Sequence, residues 1–388
     1  LGVELSEDQQ KALSELLAWY RDPARARFIT LGGYAGTGKT TLIAVLKGEL
    51  ARLNKNIRFA FCSYTGKAAQ NLKNKLKEAG ALSVKDSVST IHGLIYTPRE
   101  DDAGRIAGWD RKDLLERDLI IVDEASMVDG AIWADLLSYG IPVIAVGDHG
   151  QLPPISGQFN LMQAPRLLLT QIHRQAAGNP IIRVSQFART TGLVPPERYG
   201  AGVVKYLKDD CDAQEKTGEL LESYSPDTLI MCGYNNTRNR INQFIRNNRG
   251  FETPNPASGD RVICLRNNHR KGIFNGMLGT IERIAPARKD WYEAEIQLDD
   301  RGKPYEGLIY GPQFGAKTGV NFTKDRNLAM QGDLFDFGYA LTVHKAQGSQ
   351  ARRVVMFEER FAQMDDEMWR RWLYTGVTRA EEELYLFG

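Results

Sequence analysis

Cysteine is scarce. The 388 residues hold four, Cys62, Cys211, Cys232 and Cys264, scattered along the chain and never spaced as C-x-x-C. Neither a zinc site nor a disulfide framework is expected, and a reducing compartment fits. Long apolar runs are missing as well: none approaches the ~18 residues of a membrane span. The first residues, Leu1 to Asp8, have no basic stretch followed by an apolar one. A signal peptide is therefore not expected, and because the chain starts at Leu, a few native residues are expected to be absent. An excess of one charge is also lacking. The formal charge is +2, which argues against a uniformly basic surface and leaves any polyanion contact to a local groove. No internal repeat at solenoid periods is evident, and no cluster of nuclease-like metal ligands. What remains is an ordinary globular composition, 42% hydrophobic and 25% charged, long enough for two to four domains.

The rest of the chain is organised around Gly33 to Thr40, which spell G-x-x-x-x-G-K-T. The apolar run Phe28-Ile29-Thr30-Leu31 before it reads as a buried strand. Leu42, Val45, Leu46 and Leu50 after it have helical spacing. Strand, Gly-rich loop and helix form a phosphate cradle, in which backbone N–H groups converge on phosphate oxygens at the positive end of a helix. Lys39 would reach the β- and γ-phosphates, and Thr40 would hold Mg²⁺.

Other strand ends carry polar groups. Leu119-Ile120-Ile121-Val122 reads as a buried strand and runs into Asp123-Glu124-Ala125-Ser126. In a phosphate-loop enzyme Asp123 would serve the Mg²⁺ shell and Glu124 would orient or deprotonate the attacking water. Pro142 to Val146 leads to Gly147-Asp148-His149-Gly150-Gln151-Leu152-Pro153-Pro154, where Gln151 could sense the γ-phosphate. Arg174 is either structural or a cationic finger on that phosphate. Ser6-Glu7-Asp8-Gln9 looks like a helix start. The Gln9 amide matches adenine N6/N7, although an exposed helix glutamine is the plainer reading. Thr65-Gly66 and Thr90-Ile91-His92 lie near the ends of further strands, where α/β sheets place ligand contacts; turn and capping chemistry explains them equally. Residues 96–110 are polar and turn-rich, compatible with a small hairpin or a disordered loop. A second α/β region opens at Leu229-Ile230-Met231-Cys232, with Tyr234 to Arg238 at its end. From Gly259 short alternating segments read as a small antiparallel barrel inserted into it. Arg266, His269, Arg270 and Lys271 form a basic cluster there, a solvated face or a phosphodiester contact.

In order, these segments resemble the motif set of the superfamily 1 helicases. Gln9 matches the Q motif, Gly33 to Thr40 motif I, Tyr64 to Ala69 motif Ia and Asp123 to Ser126 motif II. Gly147 to Pro154 matches motif III, Arg174 the motif IV arginine, Thr342 to Ser349 motif V and Tyr374 to Ala380 motif VI. The resemblance runs from residue 5 to the C-terminus. The wording of Thr342 to Ser349, the Thr90-Ile91-His92 step and the small barrel are similar to the 1B branch, the RecD-like and phage Dda-like helicases.

That resemblance implies an α/β fold of two RecA-like parallel-sheet domains. The first, 1A, would cover residues 1–172 with a strand-separating pin inserted at about 94–112. The second, 2A, would cover 173–258 and 336–388, with an SH3-like barrel, 2B, inserted at 259–335. ATP and Mg²⁺ would lie between the two. Gln9, Gly33, Gly36, Thr37, Gly38, Lys39, Thr40, Thr41, Gln347 and Gly348 would bind the nucleotide, and Thr40 and Asp123 the metal. Lys39, Glu124, Gln151, Arg174 and Arg379 would carry catalysis. Single-stranded DNA would cross Thr65, Gly66, Thr90, His92, Pro154, Asn236, Thr342 and His344. The implied activity is 5′→3′ translocation with unwinding of fork DNA, by a cytoplasmic monomer of a bacterial or phage-infected cell. It would act with replication, repair or recombination proteins and no membrane. Two alternatives stay open: a single-stranded DNA translocase that does not unwind, and an ATP-gated nucleic-acid-binding switch.

Overall fold

The computed structural model describes residues 4–100, 106–154, 159–172, 178–268, 271–299, 303–316 and 331–388. Arg174, His269 and Arg270 lie outside them. The chain divides into two compact units, one holding the described residues up to Arg99 and from Ala107 to Ile182, the other Glu100, Ile106 and the described residues from Arg183 to Gly388.

In the first unit helix α1 (Glu7–Arg21) precedes strand β1 (Phe28–Gly33), helix α2 (Lys39–Leu53), β2 (Phe59–Ser63), helix α3 (Gly66–Glu78) and β3 (Ser87–Thr90). A paired excursion, β4 (Tyr96–Glu100) with β5 (Ile106–Arg111), follows. The described parts of the ambiguous turn-rich stretch are thus paired strands, and residues 101–105 lie outside the described ones. Tyr96 donates to the Asp135 carboxylate, and the Tyr139 hydroxyl reaches the carbonyls of Ile95 (2.9 Å) and Lys112 (2.7 Å), so both ends of the hairpin are tied to the body of the unit. Then come β6 (Leu119–Asp123), β7 (Val143–Gly147) and β8 (Leu167–Leu169). The six-stranded sheet has the order β3-β2-β6-β7-β1-β8, and every pairing is parallel. Such a sheet is covered on both faces, which is why its strands are continuously apolar. Leu119, Ile121, Ile144 and Val146 pack with Leu16, Leu42, Leu46 and Leu72 on one side. Ile120, Val122, Val143 and Ala145 pack with Ile91, Leu94, Trp133 and Leu136 on the other.

In the second unit β9 (Arg198–Gly200), β10 (Val203–Tyr206), β11 (Thr228–Cys232), β17 (Ala340–Thr342), β18 (Ala351–Phe357) and β19 (Ala380–Phe387) form a sheet of order β17-β11-β18-β19-β10-β9, parallel except for the β9 edge. Between β11 and β17 in sequence lie β12 (Arg261–Cys264), β13 (Leu278–Arg288), β14 (Trp291–Leu298), β15 (Tyr305–Tyr310) and β16 (Phe335–Phe337). These make a five-stranded antiparallel sheet, β15-β14-β13-β12-β16. The alternation holds over residues 294–298, where Ala294, Ile296 and Leu298 are buried in one cluster; Trp291, of opposite parity, is buried in another with Leu334. The basic cluster is partly neutralised, since Lys271 pairs with Asp333 at 3.1 Å.

A buried ion pair ties the two sheets of this unit. Arg246, on the helix Asn235–Asn248, and Asp260, entering β12, are both fully buried and bond through two contacts of 2.8 and 3.1 Å. The Arg246 guanidinium also donates to the Thr253 and Asn255 carbonyls, and the Tyr339 hydroxyl donates to Asp260 at 2.9 Å. Removing one partner leaves a buried charge without compensation. Asp260→Ala is expected to cost about 3–5 kcal/mol, read by chemical denaturation with a probe in this unit; a loss below about 1 kcal/mol would contradict that role.

Candidate active site

The loop between β1 and α2 needs its glycines. Gly36 and Gly38 sit at φ +80° and +72°, which side-chain-bearing residues rarely adopt. A Cβ on Gly33 would stand 2.6 Å from the Thr37 hydroxyl and 3.1 Å from Leu169. The loop closes on itself: the Thr37 hydroxyl donates to the Tyr34 carbonyl at 2.8 Å, and the Lys39 ammonium donates to the carbonyls of Gly33 (2.6 Å) and Tyr34 (3.0 Å). Lys39 opens α2, followed by the half-buried Thr40 and Thr41.

Gln9 is not an exposed helix residue. It is fully buried, its amide N–H reaches the Thr37 carbonyl at 3.0 Å, and its oxygen accepts from the Ser6 N–H at 3.1 Å. In this arrangement the amide braces the loop against the start of α1. Asp8, one residue earlier, accepts from the N–H groups of Thr170 and Gln171, both at 2.8 Å, and so fixes the chain leaving β8.

Three neighbouring strands, β6, β7 and β1, end side by side on this rim. Asp123 ends β6. Burial, then the adjacent Glu124 carboxylate, pushes its carboxyl up to about 6, while Lys39 and Lys75 pull the other way. Glu124 has φ +52°, one of two side-chain-bearing residues with positive φ among those described. Such a conformation costs on the order of 1–3 kcal/mol and clusters at functional sites; no local sequence signal announces it. At the end of β7 the buried Asp148 accepts from the Gly150 N–H at 2.9 Å, and its carbonyl accepts from the N–H of the buried Gln151 at 3.2 Å. The His149 ring lies 4.2 Å from that of Tyr34, which joins this turn to the glycine loop. Asp148 was not singled out from sequence; its role as a turn-former became visible only from the hydrogen bonds.

Thr65 and Thr90 act as helix caps, accepting from the N–H groups of Ala68 (3.2 Å) and Gly93 (3.0 Å), with Gly66 buried at the start of α3. Both hydroxyls keep an O–H to donate. They end the paired strands β2 and β3 beside Asp123: Ser63 aligns with Thr90 on one side and Asp123 on the other. His92 packs against Tyr96 (4.4 Å) and edge-on to Trp109 (4.6 Å) at the base of the hairpin. Burial holds the His92 and His344 imidazoles below their ordinary range, so both are neutral at pH 7. Pro154 is half-buried at the edge of the described residues.

In the second unit Thr342 ends β17, and the turn after it carries His344, the buried Gln347 and Gly348 at φ +75°. Arg379 follows the helix Asp366–Val377 and is 3% exposed. Its guanidinium donates to the carbonyls of Thr375 (3.0 Å) and Ser349 (3.3 Å) and to the Thr378 hydroxyl (3.2 Å). The turn after β17 and the end of that helix are thereby joined through one arginine. Asn236 is exposed in the first turn of the helix Asn235–Asn248.

Residues 4–192 match the family model of an AAA domain, and residues 337–387 that of a UvrD-like helicase C-terminal domain. The ATP-dependent RecD2 DNA helicase of Deinococcus radiodurans is 30% identical over 421 residues, covering 99% of this chain and 49% of that protein. The RecBCD enzyme subunit RecD of Mycolicibacterium smegmatis is 27% identical over 412 residues, covering 92% of this chain and 68% of that one. This chain thus spans about half the length of the RecD2 protein it matches. Among solved structures, Pif1 helicase from Bacteroides in complex with ADP-AlF3 and ssDNA aligns with a TM-score of 0.56 at 17% identity, over 99% of this chain and 92% of that one. A structure of Pif1 helicases at forked dsDNA aligns with a TM-score of 0.55 at 19% identity, over the same shares. At such identities these likenesses speak for the fold, two RecA-like α/β sheets. With matches to both ends of the motif series and a RecD2 relative aligned along nearly all of it, the chain is similar to the RecD-like helicases of superfamily 1B.

Proposed function

We propose that this chain is an ATP-dependent DNA helicase that moves 5′→3′ on single-stranded DNA and unwinds forks. The observation that carries the reading is the shared rim of β1, β7 and β6. There a glycine-rich loop with an inward-turned lysine, a buried Asp148–Gln151 turn and a carboxylate pair whose Glu124 is strained end adjacent parallel strands. Open α/β sheets bind ligands at such strand ends.

ATP phosphates replace the loop carbonyls as partners of Lys39, while Gly36, Thr37, Gly38, Thr40 and Thr41 supply N–H and hydroxyl donors. Gln9 supports the loop and borders the adenine. One hydroxyl, Thr40, and one carboxylate, Asp123, would hold a magnesium ion shared with the phosphates, which would supply neutralisation of phosphate charge. Glu124 orients or deprotonates the attacking water, and Gln151 senses the γ-phosphate. Arg379 and Arg174 act on the γ-phosphate, and Gln347 and Gly348 bind the nucleotide. Loss of the γ-phosphate releases those contacts. DNA is gripped at Thr65, Gly66, Thr90, His92, Pro154, Asn236, Thr342 and His344. The two histidines, being neutral, serve as hydrogen-bonding or stacking groups. The β4–β5 hairpin is the strand-separating pin, and the antiparallel sheet at residues 261–337 is an SH3-like insertion. The protein works as a cytoplasmic monomer alongside replication, repair or recombination proteins.

A forked duplex with a 5′ or a 3′ tail tests this. Unwinding that requires ATP and the 5′ tail is expected. DNA-stimulated ATP hydrolysis without strand separation would leave a translocase, and nucleotide-dependent DNA binding without turnover would leave a switch.

A further inference from the structure

Tyr234 stands where the second sheet meets its rim, and the mechanism above leaves it unused. Strand β11 ends at Cys232, whose Cα partner on the neighbouring parallel strand is Thr342, and the Val343 N–H donates to the Cys232 carbonyl at 3.2 Å. The chain therefore leaves the sheet at Gly233-Tyr234 beside Thr342-Val343-His344. Tyr234 is 44% exposed, a large ring facing solvent on a rim otherwise lined with polar groups. The exposed Asn235 and Asn236 follow at the start of a 14-residue helix.

The ring is held rather than loose. One Glu359 oxygen accepts from the N–H groups of Gly233 (2.8 Å) and Tyr234 (2.9 Å), and the other accepts from the Thr237 hydroxyl at 2.5 Å. The Tyr234 hydroxyl donates to the Arg360 carbonyl at 3.2 Å. The ring meets Phe361 edge to face, with centroids 4.7 Å apart and planes at 72°. A solvent-facing aromatic ring whose backbone and hydroxyl are both fixed loses little freedom on binding. Every nucleobase offers a π-face to such a ring, whatever its sequence.

We infer that Tyr234 is a stacking platform for a base of single-stranded DNA, held by Glu359 and Phe361 next to the Thr342–His344 turn. The inference rests on the DNA-binding reading above. It assigns the contact to the face of a base.

The test measures binding of the full chain, by fluorescence anisotropy, to a labelled oligo-dT strand and to an abasic strand of equal length. Wild-type protein is expected to prefer oligo-dT. Tyr234→Ala is expected to weaken oligo-dT binding roughly 5- to 100-fold while leaving the abasic strand unaffected, and Tyr234→Phe, which keeps the ring, to bind as wild type. Unchanged oligo-dT binding by Tyr234→Ala would overturn the inference alone. So would equal losses on both strands, or a Tyr234→Phe defect as large as that of alanine, since these mark a structural or hydroxyl role. Wild-type protein that binds neither strand would overturn the DNA-binding reading and this inference together.

Discussion

Arg379→Ala is expected to lower ATP turnover by roughly 10³–10⁵-fold, the range in which arginine fingers act in related enzymes. The structural reason is the state of the guanidinium. It is almost fully buried, yet its partners are two carbonyls and a hydroxyl, and no carboxylate among the described residues pairs with it. A buried cation with neutral partners is undercompensated, and an incoming phosphate would relieve it. Nucleotide binding, measured with a fluorescent ATP analogue, should change far less than turnover, because a finger acts on charge that develops during the reaction. Arg379→Lys separates this from a folding defect: it keeps the charge but loses the planar fork, so turnover should recover only in part. Equal losses in binding and turnover would argue against the finger.

Lys39→Ala is expected to reduce turnover by at least roughly 10²–10³-fold, the effect of deleting one preorganised donor from a site where charge develops. The lysine now donates to the carbonyls of Gly33 and Tyr34, acceptors that phosphate oxygens would replace. Its loss should leave the fold in place, with unfolding shifted by no more than about 1 kcal/mol, because the loop keeps its Thr37 bonds to Tyr34 and Gln9. Near-normal ATP hydrolysis by this variant would remove the phosphate cradle and, with it, the motor.

The two substitutions probe different units of the chain. Lys39 belongs to a loop whose geometry is complete within the first unit. Arg379 belongs to a turn stitched to the segment after β17 within the second. A motor needs both, so the double variant should be little worse than the more damaged single one, as for residues acting as one unit.

Some of this was plain in the residue order. The buried strands at 28, 59, 119, 143 and 229 could be read because a sheet covered on both faces demands unbroken apolar runs. The loop from Gly33 to Thr40 could be read because only glycine tolerates two left-handed turns so close together. The alternation at 294–298 marked a strand buried on one face, while Trp291 packs on the other. Other features had no local signature. Gln9 looked like an ordinary helix residue or an adenine contact until α1 was seen to press its amide onto Thr37. The excursion at 96–110 was as compatible with disorder as with a hairpin, since a short polar strand owes its form to partners such as Asp135 and Tyr139 far along the chain.

Residue order alone therefore determined the glycine-rich loop from Gly33 to Thr40, the carboxylate pair after a buried strand, the α/β class and the likeness to helicases, because each depends on contacts within a few positions or on a simple periodicity. The tertiary structure decided that Glu124 is held in a strained conformation, that Asp260 and Arg246 lock one sheet to another, that Arg379 is buried with no carboxylate partner among the described residues, and that the Tyr234 ring stands exposed and braced. Those properties come from groups up to 126 positions apart, such as Tyr234 and Arg360. Side-chain exposure and charge compensation are set by what the folded chain brings alongside, and no local pattern encodes that.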